Sequence, residues 1–339
     1  MTQESSLMPI EISPQLESLL TQAAALEKWP LGRLISIFEG RTPKNRQDRK
    51  QLIQTIRSRP DAFSKNAFVI GFTGTPGAGK SSLIGELCLT FLKKYPDLSI
   101  AVVAVDPSSQ TSGGSLLGDR TRVNFPTHEK RIFFRSQASN LDLGGVSTQT
   151  FHAIRLMKYF FDLIFIETVG IGQSEIEIQK LSDHTCLILQ PLTGDQIQFM
   201  KAGIMEIPDT FIINKCDEEK LAQKSYHLLK SSLKLARILP ENVQDDIRIF
   251  RTSAIKRIGL ESLAEFLHQQ FLTQEHHANH ALREGYYLKK WVKEEYGKWG
   301  LLKLEELIQS QLEKFTHLTF EDQESYFLDF VKQFFLESF

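Results

Sequence analysis

The chain has 339 residues, 41% hydrophobic and 24% charged, with a formal net charge of −1; this length holds one α/β domain plus added segments, and near-neutrality gives no broad field for nucleic acid or an anionic membrane. No apolar stretch approaches the ~20 residues that span a bilayer, and the opening Met1-Thr2-Gln3-Glu4-Ser5 lacks the basic-then-apolar pattern of a secretory signal. Cys88, Cys186 and Cys216 are widely spaced and read as reduced thiols, without a disulfide framework, in a cytoplasmic protein.

Up to about Ser64 the pattern is helical. Leu16, Leu19, Leu20 and Ala23 form one apolar set, Leu31 to Phe38 a second stretch, and Arg46 to Ile56 a third. Residues 1–64 are therefore expected to form a helical cap. Over residues 65–272 strands and helices alternate. Strands are expected at 67–73, 98–105, about 131–135, 162–167, 185–190, 209–214 and 247–252, and helices at 80–94, 147–160, 196–204, 218–237 and 259–272. Such alternation predicts an α/β fold, a mostly parallel sheet with helices on both faces. Runs such as Ala67–Phe72 and Ile100–Val105 are apolar on both sides, as a buried parallel sheet requires.

The first strand runs into Gly74-Thr75-Pro76-Gly77-Ala78-Gly79-Lys80-Ser81, followed by Ser82 and an apolar helical pattern. This is the P-loop pattern G-x-x-x-x-G-K-[ST] in its required strand–loop–helix setting. The glycines let successive backbone N–H groups turn inward onto phosphate oxygens, and the helix N-terminus adds its positive dipole end. Lys80, expected in a solvated pocket, is placed to act on the β- and γ-phosphates, and Ser81 has the hydroxyl expected on Mg²⁺. The chain reads as a P-loop NTPase.

Two further strands end in acids, Asp106 after Ile100–Val105 and Glu167 after Leu163–Ile166. Either acid can hold Mg²⁺ directly or through water, and Gly170 can donate its N–H to a γ-phosphate. Gly113 to Arg120 is glycine-rich, carries Asp119, and reads as a loop that orders around triphosphate and metal. Asn214-Lys215-Cys216-Asp217, at another strand end, fits the guanine-reading N-K-x-D pattern. An Asp carboxylate accepts from guanine N1–H and the exocyclic amine, whereas adenine presents a lone pair there and is rejected. Ser253, Ala254 and Ile255 fall where a backbone N–H reaches guanine O6. The expected reaction is Mg²⁺-dependent hydrolysis of GTP to GDP. Lys80, Asp106, Glu167 and Gly170 form the catalytic set, and Ser81, Asp106, Asp119 and Glu167 the metal set.

Residues 273–339 show no strand pattern. Thr319 precedes Phe320-Glu321-Asp322 as a helix cap with acids in the first turn. Beyond it Phe327, Phe330, Val331, Phe334 and Phe335 make an amphipathic stripe. The stripe either packs within its own chain or buries its rings in a partner subunit.

On these motifs the chain resembles the methylmalonyl-CoA mutase-associated GTPases of the MeaB/ArgK type, a family related to the human cobalamin-adenosylation accessory protein. The matching stretches are GTPGAGKSS (74–82), VDPSS (105–109), GGSLLGDRTR (113–122), LGGV (143–146), ETVGIGQSE (167–175), KAGIME (201–206), NKCD (214–217) and TSA (252–254). The resemblance implies a slow GTPase, dimeric through its C-terminal helical arm. It further implies a chaperone that gates delivery of adenosylcobalamin to an acyl-CoA mutase and release of damaged cofactor, so that the cobalamin belongs to the partner; a cobalamin adenosyltransferase is a second implied partner. Carried over, Lys80 and Ser81 are the P-loop pair, Asp106, Asp119 and Glu167 belong to the magnesium and switch region, and Gly194 to Lys201 is the loop that communicates with the mutase. Cys216, Ser82, Leu192-Thr193-Gly194 and Asn140-Leu141-Asp142 depart from the family pattern. Competing readings are a nickel-inserting GTPase, a kinase of transport-system proteins, and a GTP-binding scaffold without turnover.

Overall fold

The computed structural model describes residues 12–107, 129–139, 146–168, 174–191, 208–235, 248–273, 280–311, 315 and 318–337. The expected helix at 196–204, Asp119, Gly170 and the loop from Gly194 to Lys201 lie outside the described residues.

Three helices open the chain: α1 (Pro14–Ala24), α2 (Lys28–Glu39) and α3 (Pro43–Arg57). Ser13 caps α1 by accepting from Leu16 N, Thr42 caps α3 by accepting from Asn45 N, and a proline sits in the first turn of each, where no N–H is missed. The sheet then builds from β1 (Phe68–Gly74), β2 (Ile100–Pro107), β3 (Ile132–Ser139), β4 (Leu163–Thr168), β5 (His184–Leu189), β6 (Thr210–Ile213) and β7 (Arg248–Arg251). Intervening helices are α4 (Lys80–Lys94), α5 (Thr148–Met157), α6 (Ser174–Leu181), α7 (Glu219–Leu235) and α8 (Leu260–Thr273). Two C-terminal helices follow, α9 (His280–Ser310), kinked at Gly297, and α10 (Phe320–Glu337).

The strands lie in the order β3-β2-β4-β1-β5-β6-β7, and every pairing is parallel. From β1 the chain crosses over β4 toward β2, while from β4 it crosses over β1 to β5. That divergence opens a crevice at the carboxyl ends of the strands, where α/β sheets bind ligands. Both sheet faces are covered. Phe68, Ile70 and Phe72 of β1 pack with Phe165, Leu83, Phe91 and Leu263 under α4 and α8. Val69 and Ile164 face the opposite cluster, with Leu20, Leu52, Phe151 and Ile178.

The C-terminal helices belong to that second cluster. Tyr287, Trp291, Phe320, Phe327 and Val331 are buried in it, with Tyr287 stacked on Phe151 at 4.2 Å between ring centroids. Buried ion pairs cross the same layer: Arg155 of α5 meets Glu321 through both terminal nitrogens, and Arg49 of α3 meets both carboxylate oxygens of Glu324 through Nη2 alone, its Nη1 donating to Phe38 O and Gly40 O. The aromatic stripe therefore buries its inner edge within the chain, while Phe335 is 49% exposed. Helix α6 has no counterpart among the expected elements. Its eight residues carry few periodic positions, and it is held by packing Ile178 and Leu181 beneath the sheet.

Candidate active site

Glycine at position 79 is required twice over. Its φ is +80°, and a Cβ there would lie 2.8 Å from Asn214 Nδ2. The close approach exists because Asn214 Nδ2 donates to Ala78 O at 2.9 Å and Gly79 O at 3.3 Å. The base-reading segment after β6 is thereby bonded directly to the phosphate-binding loop after β1. Thr252 Oγ1 donates to Asn214 Oδ1 at 3.2 Å, and Cys216 N donates to Thr252 O at 2.9 Å, which joins the segment after β7 to the same assembly.

Lys80 is 5% exposed, not solvated as expected. Its ammonium donates to Gly74 O at 2.8 Å and Thr75 O at 3.0 Å, bracing the loop from inside, because an ammonium beside inward-turned carbonyls replaces water with fixed acceptors. Ser81 Oγ donates to Glu167 Oε1 at 2.7 Å, and Glu167 is 4% exposed. Pro76, Gly77 and Ser82 are exposed, and Ala78 is buried. Asp106 lies on β2, its backbone paired with Ala138 of β3.

At the base-reading end, Asp217 Oδ1 accepts from Ser253 Oγ, and Lys256 Nζ donates to Asp217 O at 2.7 Å. The Ser253 hydroxyl also accepts from Lys256 N at 3.0 Å. Ala254 is buried, and Ile255 stands 85% exposed beside it. Lys215 adopts φ +61° and donates Nζ to Gln190 Oε1 at 3.3 Å, while Gln190 Nε2 reaches Pro76 O at 3.4 Å. Gln190 and Lys256 were not among the expected site residues. Gln190 was legible as the first polar residue after β5, a strand whose neighbour β1 ends in the P-loop; Lys256 had no comparable signal. Burial raises the Cys216 thiol above its ordinary range, and its Sγ lies 3.1 Å from Ile213 O, so it fills space within the base-reading loop.

Residues 31–299 match the family model described as "Methylmalonyl Co-A mutase-associated GTPase MeaB". The chain belongs to the MeaB family. It is similar to a Pyrococcus abyssi protein named as a GTPase, 38% identical over 221 residues and covering 65% of each chain. It is also similar to the GTPase ArgK of Escherichia coli, 33% identical over 242 residues and 70% of each chain. A solved structure titled LAO/AO transport system kinase shares the fold, with a TM-score of 0.62 and 21% identity over 95% of this chain and 99% of that one. As a MeaB-family member the chain is a GTPase of the P-loop class, and its helical N- and C-terminal regions accompany a single parallel sheet. Among the described residues no helix is long and apolar enough to cross a membrane.

Proposed function

We propose that this GTPase couples its cycle to an acyl-CoA mutase of the methylmalonyl-CoA type, gating the loading, protection and repair of adenosylcobalamin held by that partner. The observation that carries the reading is the bond from Asn214 to Ala78 and Gly79, which makes one unit of base and phosphate recognition, in a chain whose family is described by association with that mutase. Residues 65–272 carry the chemistry in this reading. Residues 1–64 form the cap, and residues 273–339 form the surface of a homodimer, with Phe335 and Leu336 exposed there. A cytoplasmic location and a cobalamin adenosyltransferase as second partner belong to the same reading.

Ser81 Oγ and Glu167 Oε1 are two hard oxygens 2.7 Å apart, a donor set that suits Mg²⁺. Those residues, with Asp106 and Asp119 as further acids, would hold the ion. When bound, it offsets charge on the β- and γ-phosphates. Asp217 selects guanine, and the backbone of residues 74–82 cradles the phosphates with Ile255 at the edge of the base site. Lys80 turns from the Gly74 and Thr75 carbonyls to phosphate oxygens, where its charge opposes that developing on the transferred group. The N–H of Gly170 serves the γ-phosphate.

The test incubates the purified chain with γ-labelled GTP and Mg²⁺, with and without an adenosylcobalamin-dependent acyl-CoA mutase, and follows inorganic phosphate and phosphoprotein separately. Phosphate release that rises severalfold with the mutase is expected. A mutase that neither binds nor changes the rate overturns the chaperone reading, label retained on protein favours the kinase reading, and tight nickel binding favours the nickel-inserting one.

A further inference from the structure

Helix α6 is clamped from two sides. Toward the sheet, Ile178 lies so close to Gly71 of β1 that a Cβ there would come within 2.7 Å of Ile178 Cγ1. Away from the sheet, α9 presents Arg283, Tyr286 and Lys290, which fall on one side of a helix at spacings of three and four. Lys290 Nζ donates to Glu177 Oε1 of α6 at 2.7 Å and to Val146 O at 2.8 Å. The Lys180 ammonium lies 4.7 Å from the centroid of the Tyr286 ring. Arg283 pairs with Asp183 and donates to Ser182 O at 2.6 Å, while Asp183 Oδ2 accepts from Val69 N of β1 at 2.8 Å.

An eight-residue helix has little stability of its own, so its position is set by these contacts. That position matters for chemistry because Ile178 of α6 packs on Gly71 of β1, and Gly71 and Phe72 pair with Ile166 and Glu167 near the end of β4. Glu167 in turn accepts from Ser81. The other end of the Lys290 contact, Val146, directly precedes Ser147, which caps α5 by accepting from Thr150 N at 3.2 Å. One ammonium thus ties α6 to the start of α5.

We infer that Lys290 is a positioning residue for GTP hydrolysis: by joining Glu177 to Val146 O it fixes α6, and with it the end of β4 that presents Glu167 to Ser81. The inference rests on the GTPase activity and stands whether or not a mutase is the partner. The side chains of Lys290 and Glu177 are each 20% exposed, so either can be removed without leaving a fully desolvated charge.

The full-length chain is assayed as Lys290→Met, Glu177→Ala, the double variant and Lys290→Arg, with kcat, KM for GTP and melting temperature measured for each. Each single variant should lose about 3- to 10-fold in kcat with KM within about twofold, the pattern of altered geometry rather than lost nucleotide binding. The double variant should match the singles, since the two residues act through one contact, and Lys290→Arg should keep most activity. Wild-type kcat in both singles, a lowered melting temperature with kcat unchanged, or losses that multiply in the double variant overturns the inference. If Lys290→Met does not fold, Glu177→Ala and Lys290→Arg are judged by the same criteria.

Discussion

The Ser81 hydroxyl donates to Glu167 Oε1 across 2.7 Å, joining the first turn of α4 to the end of β4. Glu167→Gln keeps one oxygen for that hydrogen bond but removes the charge and turns the second oxygen into an amide donor. We expect kcat to fall about 10- to 100-fold and the Mg²⁺ requirement to rise, the usual effect of altering groups around a metal site. Hydrolysis measured against Mg²⁺ concentration checks this, and an unchanged Mg²⁺ dependence would remove Glu167 from the metal set.

Asp217 is held by Ser253 Oγ and, through its backbone, by Lys256. Asp217→Asn places a donor where guanine presents donors. GTP affinity should fall about 100-fold, corresponding to about 2.7 kcal/mol for a mismatched charged hydrogen bond, while xanthine nucleotide, with a 2-oxo acceptor, should gain. Calorimetric titration with both nucleotides decides it, and undiminished GTP affinity would sink the assignment.

Lys80 satisfies the Gly74 and Thr75 carbonyls from a buried position. Lys80→Ala should therefore do two things: abolish hydrolysis and lower stability by about 1–3 kcal/mol, since the buried Gly74 and Thr75 carbonyls lose a charged donor, Thr75 O keeping its bond from Ala78 N. Denaturant melts beside phosphate release test both effects. A variant of wild-type stability would show that the brace contributes nothing to folding.

The P-loop was legible because its chemistry is local, a strand, a glycine turn and a helix within a short stretch of chain. So were the strands, since Phe68, Ile70 and Phe72 face one cluster and Val69 the other. What stayed hidden was set by distance along the chain. Glu324 lies 275 positions from Arg49, and no pattern near either names the other. The same holds for Lys290 and Val146, 144 positions apart. Lys80 shows a different limit: the motif names its ligand, while its burial depends on how the loop folds back.

The C-terminal helices fill the cluster that also holds Leu20, Leu52 and Phe151, so they are structural for the whole chain. A chain ending at Leu272 uncovers that apolar layer and takes Glu321 and Glu324 from Arg155 and Arg49. We expect it to aggregate or to melt well below the full chain. Light scattering and thermal melts report the outcome; a stable monomer of residues 1–272 would show that the layer is dispensable.

Glu321 and Glu324 sit one helical turn apart, each facing a buried arginine, yet their carboxyls move in opposite directions. Burial pushes both up. At Glu321 the Arg155 guanidinium outweighs it and holds the carboxyl below its ordinary value of 4.5. At Glu324 burial prevails over Arg49, and the carboxyl is raised. A lowered folded-state value means that the Glu321 contribution to stability is complete above its ordinary value and lost as pH falls through the lowered one. A raised value gives Glu324 the reverse sense: its contribution is present at acid pH and declines as pH rises through the raised value. Glu321→Gln should therefore cost about 3 kcal/mol at pH 7, the lower end for breaking a buried pair, because Glu284 remains 3.2 Å from Arg155. That deficit should shrink as the solution is acidified below the ordinary carboxylate range, and Glu324→Gln should cost less at pH 7. Melting curves of both variants across acid and neutral pH test the contrast. Equal deficits that do not change with pH would mean that neither pair responds to protonation as its surroundings dictate.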